Sequence, residues 1–85
     1  MGTSKYPDGA SYIGNFEDNL KSGKGEYRYP NGDTYVGDWK NDDKNGHGIF
    51  TYANGVKEEG EWKDDEKVGR FKVTGVDGKI TYKEY

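Results

Sequence analysis

Apolar and polar residues alternate along much of the chain, and short turn sequences interrupt the alternation at regular intervals. Tyr35, Gly37 and Trp39, for example, fall on one side of a predicted strand, and the residues between them fall on the other. Alternation with a period of two is typical of a β-strand that is buried on one face. Since no segment keeps a helical period over ten residues, we predict an antiparallel sheet.

Asn-Gly or Asp-Gly pairs recur at a constant interval, at Asp8-Gly9, Asn31-Gly32, Asn54-Gly55 and Asp77-Gly78. Such pairs favour the type I′ turn of a β-hairpin, because both central residues of that turn need a positive φ. We therefore expect all of their glycines to be structural turn residues. These glycines are Gly9, Gly32, Gly55 and Gly78.

The 23-residue register divides the chain into units 6–28, 29–51 and 52–74, followed by a half unit, 75–85. We predict an all-β fold, a single-layer antiparallel β-meander or solenoid of about three and a half hairpin repeats and about seven strands. A polar loop such as Asn41 to Asn45 would join the two strands of a unit. Residues 1–5 look vector-derived, and we expect the sheet to begin after them.

The composition indicates how a chain with few aliphatic residues could form a core. Leu, Ile, Val and Phe together number 12 of 85 residues, a fraction typical of disordered chains. Aromatic residues, however, make up 15% of the chain, and glycines number 14. Several glycines fall inside predicted strands, where a bare backbone is costly unless something packs on it. We expect aromatic rings to lie flat over these glycines, which are Gly14, Gly25, Gly37, Gly48 and Gly60.

Three segments of the chain resemble a known repeat: Tyr-Val-Gly-Asp-Trp (35–39), Asn-Gly-His-Gly-Ile-Phe-Thr-Tyr (45–52) and Tyr-Pro-Asn-Gly-Asp-Thr-Tyr (29–35). They are similar to the MORN (membrane occupation and recognition nexus) repeat, and the resemblance extends over residues 6–74 with a partial unit to Tyr85. It implies β-hairpins stacked into one elongated, twisted sheet. It also implies a non-enzymatic scaffold that binds proteins or, by an older proposal, membrane lipids.

Unit three departs from this pattern. Glu58 replaces the tyrosine of the other units, Phe71 replaces a glycine, and Val73 replaces an aromatic residue. Terminal repeats are often atypical because they cap the stack. We therefore expect a C-terminal cap in which Phe71 fills space that an aromatic ring from another position fills elsewhere.

Two registers stay open for the half unit. In the first, Tyr85 takes the position of the unit-two tryptophan and faces inward with Thr81 and Lys83. In the second, Ile80 and Tyr82 face inward. The alternation alone favours neither.

Charge, cysteine content and the N-terminal segment exclude several classes of protein. The net charge is -3 with acids and bases interleaved, so we expect no nucleic-acid partner. There is no cysteine, and hence no disulfide or thiolate site. The segment Met1 to Tyr6 lacks the apolar core of a signal peptide, and no apolar run is long enough for a membrane helix. We expect a cytoplasmic protein, associated with membranes, if at all, through a partner.

The sequence contains only weak signals of a catalytic or metal-binding site. His47 is the single histidine, and we interpret it as structural. The segment Asn41–Gly46 resembles the start of a calcium loop, but Tyr52 occupies the position of the required glutamate. The paired carboxylates at 42–43 and 64–66 recur in equivalent loops, which favours solubility over catalysis. We therefore predict no enzyme activity, no cofactor and no metal.

The aromatic stripe is the feature with functional potential. A single-layer sheet leaves one aromatic face without a second layer, so its rings either fill the core or line a groove for a partner. We predict a scaffold that binds a protein or peptide through this face. The predicted partner-binding residues are Tyr12, Phe16, Tyr27, Tyr29, Tyr35, Trp39, Phe50, Tyr52 and Trp62.

Three alternatives accompany this prediction. The first is weak peripheral binding of anionic phospholipid headgroups, with Lys21, Lys24, Arg28 and Lys44 as contacts. The second is that the chain is an engineered or excised repeat fragment without a function of its own. The third concerns assembly, since unpaired sheet edges or the aromatic face could form a homodimer.

Overall fold

The computed structural model describes residues 2–85, and Met1 lies outside the described residues. These residues form one antiparallel sheet in which every strand pairs with its neighbours in the chain. The strands are β1 Gly2–Lys5, β2 Ser11–Glu17, β3 Leu20–Arg28, β4 Thr34–Lys40, β5 Asp43–Thr51, β6 Lys57–Lys63, β7 Glu66–Thr74 and β8 Ile80–Glu84. The all-β, single-layer meander predicted from the sequence is confirmed.

The sheet has eight strands where we expected about seven, and the additional strand is β1. Residues 2–5, which were expected to precede the sheet, pair with β2 through Gly2↔Gly14. The same register recurs one unit later as Gly25↔Gly37. The segment therefore occupies the position of a returning repeat strand, and the expected start at residue 6 is wrong.

The type I′ turns lie at the opposite end of the hairpins from where we expected them. Both residues of each two-residue connection have a positive φ: Asp18 (52°) and Asn19 (66°), Asn41 (50°) and Asp42 (72°), Asp64 (49°) and Asp65 (70°). Asn and Asp tolerate this left-handed conformation better than most residues. The predicted loop from Asn41 to Asn45 is accordingly only two residues long, because β5 begins at Asp43.

The Asn-Gly and Asp-Gly pairs form longer turns, in which only the glycine has a positive φ. At the first of them the Gly9 N–H donates to the Tyr6 carbonyl over 3.1 Å, and the Tyr6 N–H donates to the Ala10 carbonyl over 2.9 Å. Three residues, 7–9, therefore lie between the hydrogen-bonded pair Tyr6 and Ala10, and the last of them is the glycine with the positive φ. The prediction that these glycines are turn residues is confirmed, with φ values of 98° at Gly9, Gly32 and Gly55 and 86° at Gly78, but the turn type was wrong.

Each hairpin is also tied to the hairpin before it. The Lys21 N–H donates to the Asp42 carboxylate over 2.6 Å, and the Asp42 N–H donates to the Lys21 carbonyl over 3.0 Å. Lys44 and Asp65 repeat both bonds, over 2.7 and 3.0 Å. The side chains of Asp42 and Asp65 thus help to fix the spacing between successive units.

The tyrosines of β2 and β4 are the rings that lie over the strand glycines. An added Cβ on Gly48 would overlap the ring and hydroxyl of Tyr35, and one on Gly25 would overlap those of Tyr12. The Tyr35 hydroxyl then donates to the Asp38 carbonyl over 3.0 Å, at the point where the pairing of β4 with β5 shifts register. The bare glycines therefore make room for the ring, and the hydroxyl satisfies a carbonyl at the irregularity.

Unit three reverses this arrangement. Phe71 on β7 is fully buried and lies over Gly60 of β6, with ring carbons 2.7–2.8 Å from where a Cβ would stand. The ring therefore comes from the returning strand rather than the outgoing one, as expected for Phe71. Since Lys83 pairs with Phe71, the first of the two half-unit registers is correct. Tyr82 is 63% exposed on the other face, so the second register is wrong.

Candidate functional site

The buried side of the sheet carries a continuous chain of aromatic rings, which we call the first row. Successive ring centroids are 5.0–5.7 Å apart with interplanar angles of 77–87°. This edge-to-face geometry is the favourable one for aromatic pairs. The first row consists of Phe16, Tyr12, Trp39, Tyr35, Trp62, Phe71 and Tyr85.

A second row of rings runs beside the first along the same face. Its centroids are 4.7–5.7 Å apart, and it touches the first row at Trp39 (5.9 Å from Tyr27) and Trp62 (6.1 Å from Phe50). All of its members are half-buried. The second row consists of Tyr6, Tyr27, Tyr29, Phe50 and Tyr52.

The two rows differ in how much side-chain surface they leave exposed to a partner. Tyr12 and Tyr35 have no exposed surface, and Trp39 and Trp62 are only 6% exposed. These residues are core, and a molecule bound to the surface would reach little of them. Phe16 lies at the end of the first row and is 37% exposed. The predicted partner-binding residues that keep accessible surface within the face are thus those of the second row.

Three lysines that share the repeat spacing lie between the rows. The Lys21 ammonium is 5.2 Å from the Trp39 ring centre and 5.5 Å from that of Tyr27. Lys44 repeats the placement at 5.2 Å from Trp62, and Lys67 lies 4.8–6.0 Å from five ring centres. Each ammonium therefore lies over aromatic faces, where cation–π attraction offsets part of its lost hydration.

Lys44 differs from the other two lysines. Lys21 Nζ is 3.4 Å from the Asp42 carboxylate, and Lys67 Nζ is 3.2 Å from that of Glu58. Within residues 2–85, no carboxylate oxygen lies within 4.0 Å of Lys44 Nζ. Burial lowers the pKa of Lys44, and the positive charge of Lys21 lowers it further against the opposing effect of Asp65.

A shallow cavity of about 200 Å³ opens between the rows at this point. Rings form its walls, and charged groups of both signs lie around it. Burial, with the nearby carboxylates of Asp65 and Asp33, raises the pKa of Tyr29 to about 12. A tyrosine hydroxyl is protonated at neutral pH with or without this shift, so Tyr29 can donate a hydrogen bond to a molecule in the cavity. The lining residues are Lys21, Tyr27, Tyr29, Trp39, Asp42, Lys44 and Asp65.

A buried polar cluster closes the C-terminal end of the face, centred on Glu58. Its carboxylate accepts hydrogen bonds from the hydroxyls of Tyr52 (2.5 Å) and Tyr85, and pairs with Lys67. Burial alone would raise the pKa of Glu58, but the hydrogen bonds from Tyr52, Tyr85 and Lys67 outweigh it and lower the pKa. The acid that interrupts the aromatic pattern is therefore a fully partnered structural group.

Glu58→Gln is expected to lower the free energy of unfolding by about 2 kcal/mol at pH 7, because it leaves the Lys67 ammonium without its counter-charge. Since the folded-state pKa of Glu58 is lowered, its contribution is present above the ordinary value of 4.5 and is lost as the pH falls below it. Urea denaturation of both proteins from pH 7 to pH 3 should therefore show a difference that shrinks with acidity. Glu59→Gln, which removes an exposed partner of His47, is the control and should cost about 0.5 kcal/mol or less.

His47 lies on the opposite, outer face, away from the rings. Its Nε2 is 2.8 Å from the Glu59 carboxylate and its Nδ1 is 3.7 Å from that of Glu61. Residues 2–85 contain no group of three or more histidine or acidic side chains arranged to hold a metal ion. At the start of β5, the side-chain contact with Asp65 raises the pKa of Asp43, and the negative charge of Asp65 raises it further.

The sequence did not reveal the role of the lysines. The sequence indicates Lys21 and Lys44 only as contacts for lipid headgroups, and it assigns no role to Lys67. The signal was present, since the three lysines share the repeat period and fall on the aromatic side of the alternation. Hydropathy patterns assign lysine to solvent, whereas a long aliphatic stem can cover rings while its ammonium stays near the surface.

The period, the turns and the ring-over-glycine packing identify the repeat. The MORN repeat profile matches residues 12–34, 35–57 and 59–70. This chain belongs to the MORN repeat family. The third MORN match begins just after Glu58 and ends just before Phe71. These are the residues that replace the tyrosine and the glycine of the other units.

MORN repeat proteins are generally non-enzymatic scaffolds, and the family points to a protein-binding or membrane-associated role. No curated protein sequence matches this MORN chain. Within residues 2–85 there is no helix with the length and apolar character of a membrane span.

Proposed function

We propose that this MORN repeat chain is a non-enzymatic scaffold that binds an extended protein segment along the second aromatic row. The observation that supports it most is the difference in burial between the rows. The five inner rings of the first row, from Tyr12 to Phe71, are at most 6% exposed. The second-row rings that pack against them keep accessible surface that no residue of the core covers. A continuous strip of partly exposed rings is typical of an interaction surface.

Several properties of the second row favour a peptide. The rings follow one another along the sheet at intervals of 4.7–5.7 Å, which suits a segment lying along the face. Tyr27 and Tyr29 both have a pKa raised by burial, and their hydroxyls remain hydrogen-bond donors at neutral pH. Aromatic rings combined with such donors recur in surfaces that bind peptides.

Binding of anionic lipid headgroups is less well supported, because basic residues that would contact the headgroups are already paired with acids. Lys24 is paired with Asp38 at 2.6 Å, and Arg28 with Glu26 at 2.6 Å. A polybasic lipid site needs several uncompensated charges at the surface. The protein-binding role is therefore the better supported of the two.

The proposal can be tested by selecting a displayed library of random 12-residue peptides against the full chain. We expect enriched peptides whose binding is lost in Tyr29→Ala and Phe50→Ala and is retained in Val36→Ala. Val36 is 48% exposed on the outer face, so its truncation controls for general effects of a smaller side chain. Near-ultraviolet circular dichroism of each variant would show whether the first row is intact.

Two results would count against the proposal. One is a selection in which no peptide is enriched over an unrelated β-sheet protein. The other is a set of enriched peptides that bind the second-row variants as well as they bind the wild type.

A further inference from the structure

The charges of this chain are divided unequally between its surfaces. By strand register, the aromatic face carries four lysines and one glutamate, a net charge of +3. These residues are Lys21, Lys44, Lys67, Lys83 and Glu58. The overall charge of -3 thus conceals a basic face.

The remaining charges account for the difference. The outer face of the strands carries eight acids and eight bases, which cancel. The turns carry seven aspartates and one lysine, a net charge of -6. A partner approaching the aromatic face therefore meets four lysines along the rows, together with Glu58 and the turn carboxylates of Asp42 and Asp65 that line the cavity.

Among the three lysines that lie between the rows, Lys44 is the one whose ammonium has no carboxylate partner among residues 2–85. Its ammonium lies over the rings of Tyr29 (5.5 Å), Tyr35 (5.7 Å) and Trp62 (5.2 Å). The equivalent lysines on either side each have a carboxylate within 3.4 Å, whereas Lys44 has none within 4.0 Å among residues 2–85. Asp65, the nearby turn acid, accepts the Lys44 backbone N–H instead.

We propose that the segment bound along the second row is acidic, and that one of its carboxylates binds Lys44 Nζ in the cavity between the rows. This inference rests on the proposed function and adds the chemistry of the partner. The incoming carboxylate would pair with Lys44 as Asp42 pairs with Lys21 and as Glu58 pairs with Lys67. A charge-assisted hydrogen bond in a partly desolvated site is stronger than a neutral one, and it would fix the register of an otherwise apolar contact.

The test uses an array of immobilised 12-residue peptides in which six varied apolar or aromatic positions alternate with six positions that are all Glu, all Gln or all Lys. The probe is the labelled full chain. We expect the Glu set to bind about tenfold more tightly than the Gln set, and the Lys set to bind most weakly. Raising the salt concentration should reduce the difference.

Lys44→Met removes the charge and keeps an apolar stem over the rings. It should abolish the preference for Glu over Gln while binding of the Gln set persists. Lys24→Met is the matched control, because Lys24 lies on the outer face with a side chain that is 77% exposed. This control should leave the preference unchanged.

The outcomes separate the two proposals. Equal binding of the Glu and Gln sets, or a Glu preference that survives Lys44→Met, would overturn the acidic partner and leave the peptide-binding role standing. Absence of binding to any set would overturn both. Binding through Lys44 to vesicles of phosphatidylcholine mixed with phosphatidylserine, without binding to the array, would replace the acidic peptide with a lipid surface.

Discussion

Gly48→Ala is expected to lower the free energy of unfolding by about 3 kcal/mol, at the upper end of the cost of overpacking a core. The added methyl group would overlap the ring and hydroxyl of Tyr35. The ring cannot move aside, because Trp39 and Trp62 pack edge-to-face against it at 5.1 and 5.3 Å. Urea denaturation followed by tryptophan fluorescence would measure the loss.

Gly2 provides the matched control, since it occupies the same repeat position on β1 but has no tyrosine above it. Among residues 2–85, its added Cβ would meet the edge of the Phe16 ring at 3.1 Å, and that ring is 37% exposed and can shift. Gly2→Ala should therefore cost about 1 kcal/mol or less. Equal costs at the two glycines would show that backbone preference, rather than the ring, accounts for the glycine at position 48.

Trp39→Ala is expected to lower the free energy of unfolding by about 3–5 kcal/mol, the usual range for deleting a large buried aromatic side chain. Trp39 joins the first two hairpins, because its ring contacts both Tyr12 (5.5 Å) and Tyr35 (5.1 Å). Its Nε1–H also donates to the Gly25 carbonyl over 3.3 Å. Thermal unfolding monitored by circular dichroism at the aromatic wavelengths would report both the loss of stability and the break in the first row.

Tyr82→Ala is the corresponding control, because it deletes an aromatic ring of the outer face that is 63% exposed. Its effect should stay within about 0.5 kcal/mol, as for most surface substitutions. A loss at Tyr82 comparable to that at Trp39 would contradict the assignment of the core to one face.

The sequence was sufficient to predict the features that depend on local pattern. The repeat period, the side of the strand on which Tyr35 and Trp39 lie, and the turn glycines all follow from spacing and backbone preference. The ring-over-glycine packing was also predictable in kind. Which ring covers which glycine was not, because that choice depends on how far each side chain reaches across a neighbouring strand.

The errors have physical causes that spacing alone does not report. Asn-Gly is a strong signal for a type I′ turn, but the tighter turn lies at Asn41-Asp42, where the aspartate also holds the preceding hairpin through Lys21. β1 was missed because its sequence has no large apolar residue, and its place in the sheet depends on pairing with β2. The sequence could not distinguish the half-buried rings of the second row from the buried rings of the first row. Both sets occupy every second position of a strand and so show the same alternation of apolar and polar residues.

The order of the strands has a consequence for evolution and engineering. Every pairing joins strands that are consecutive in the chain, so a whole repeat unit can be added or removed between existing ones without changing any other strand pair. Each addition would lengthen the two aromatic rows by two strands, roughly 10 Å, and would supply one more lysine between them. If the proposed function holds, the number of units sets how long a segment the second row can bind.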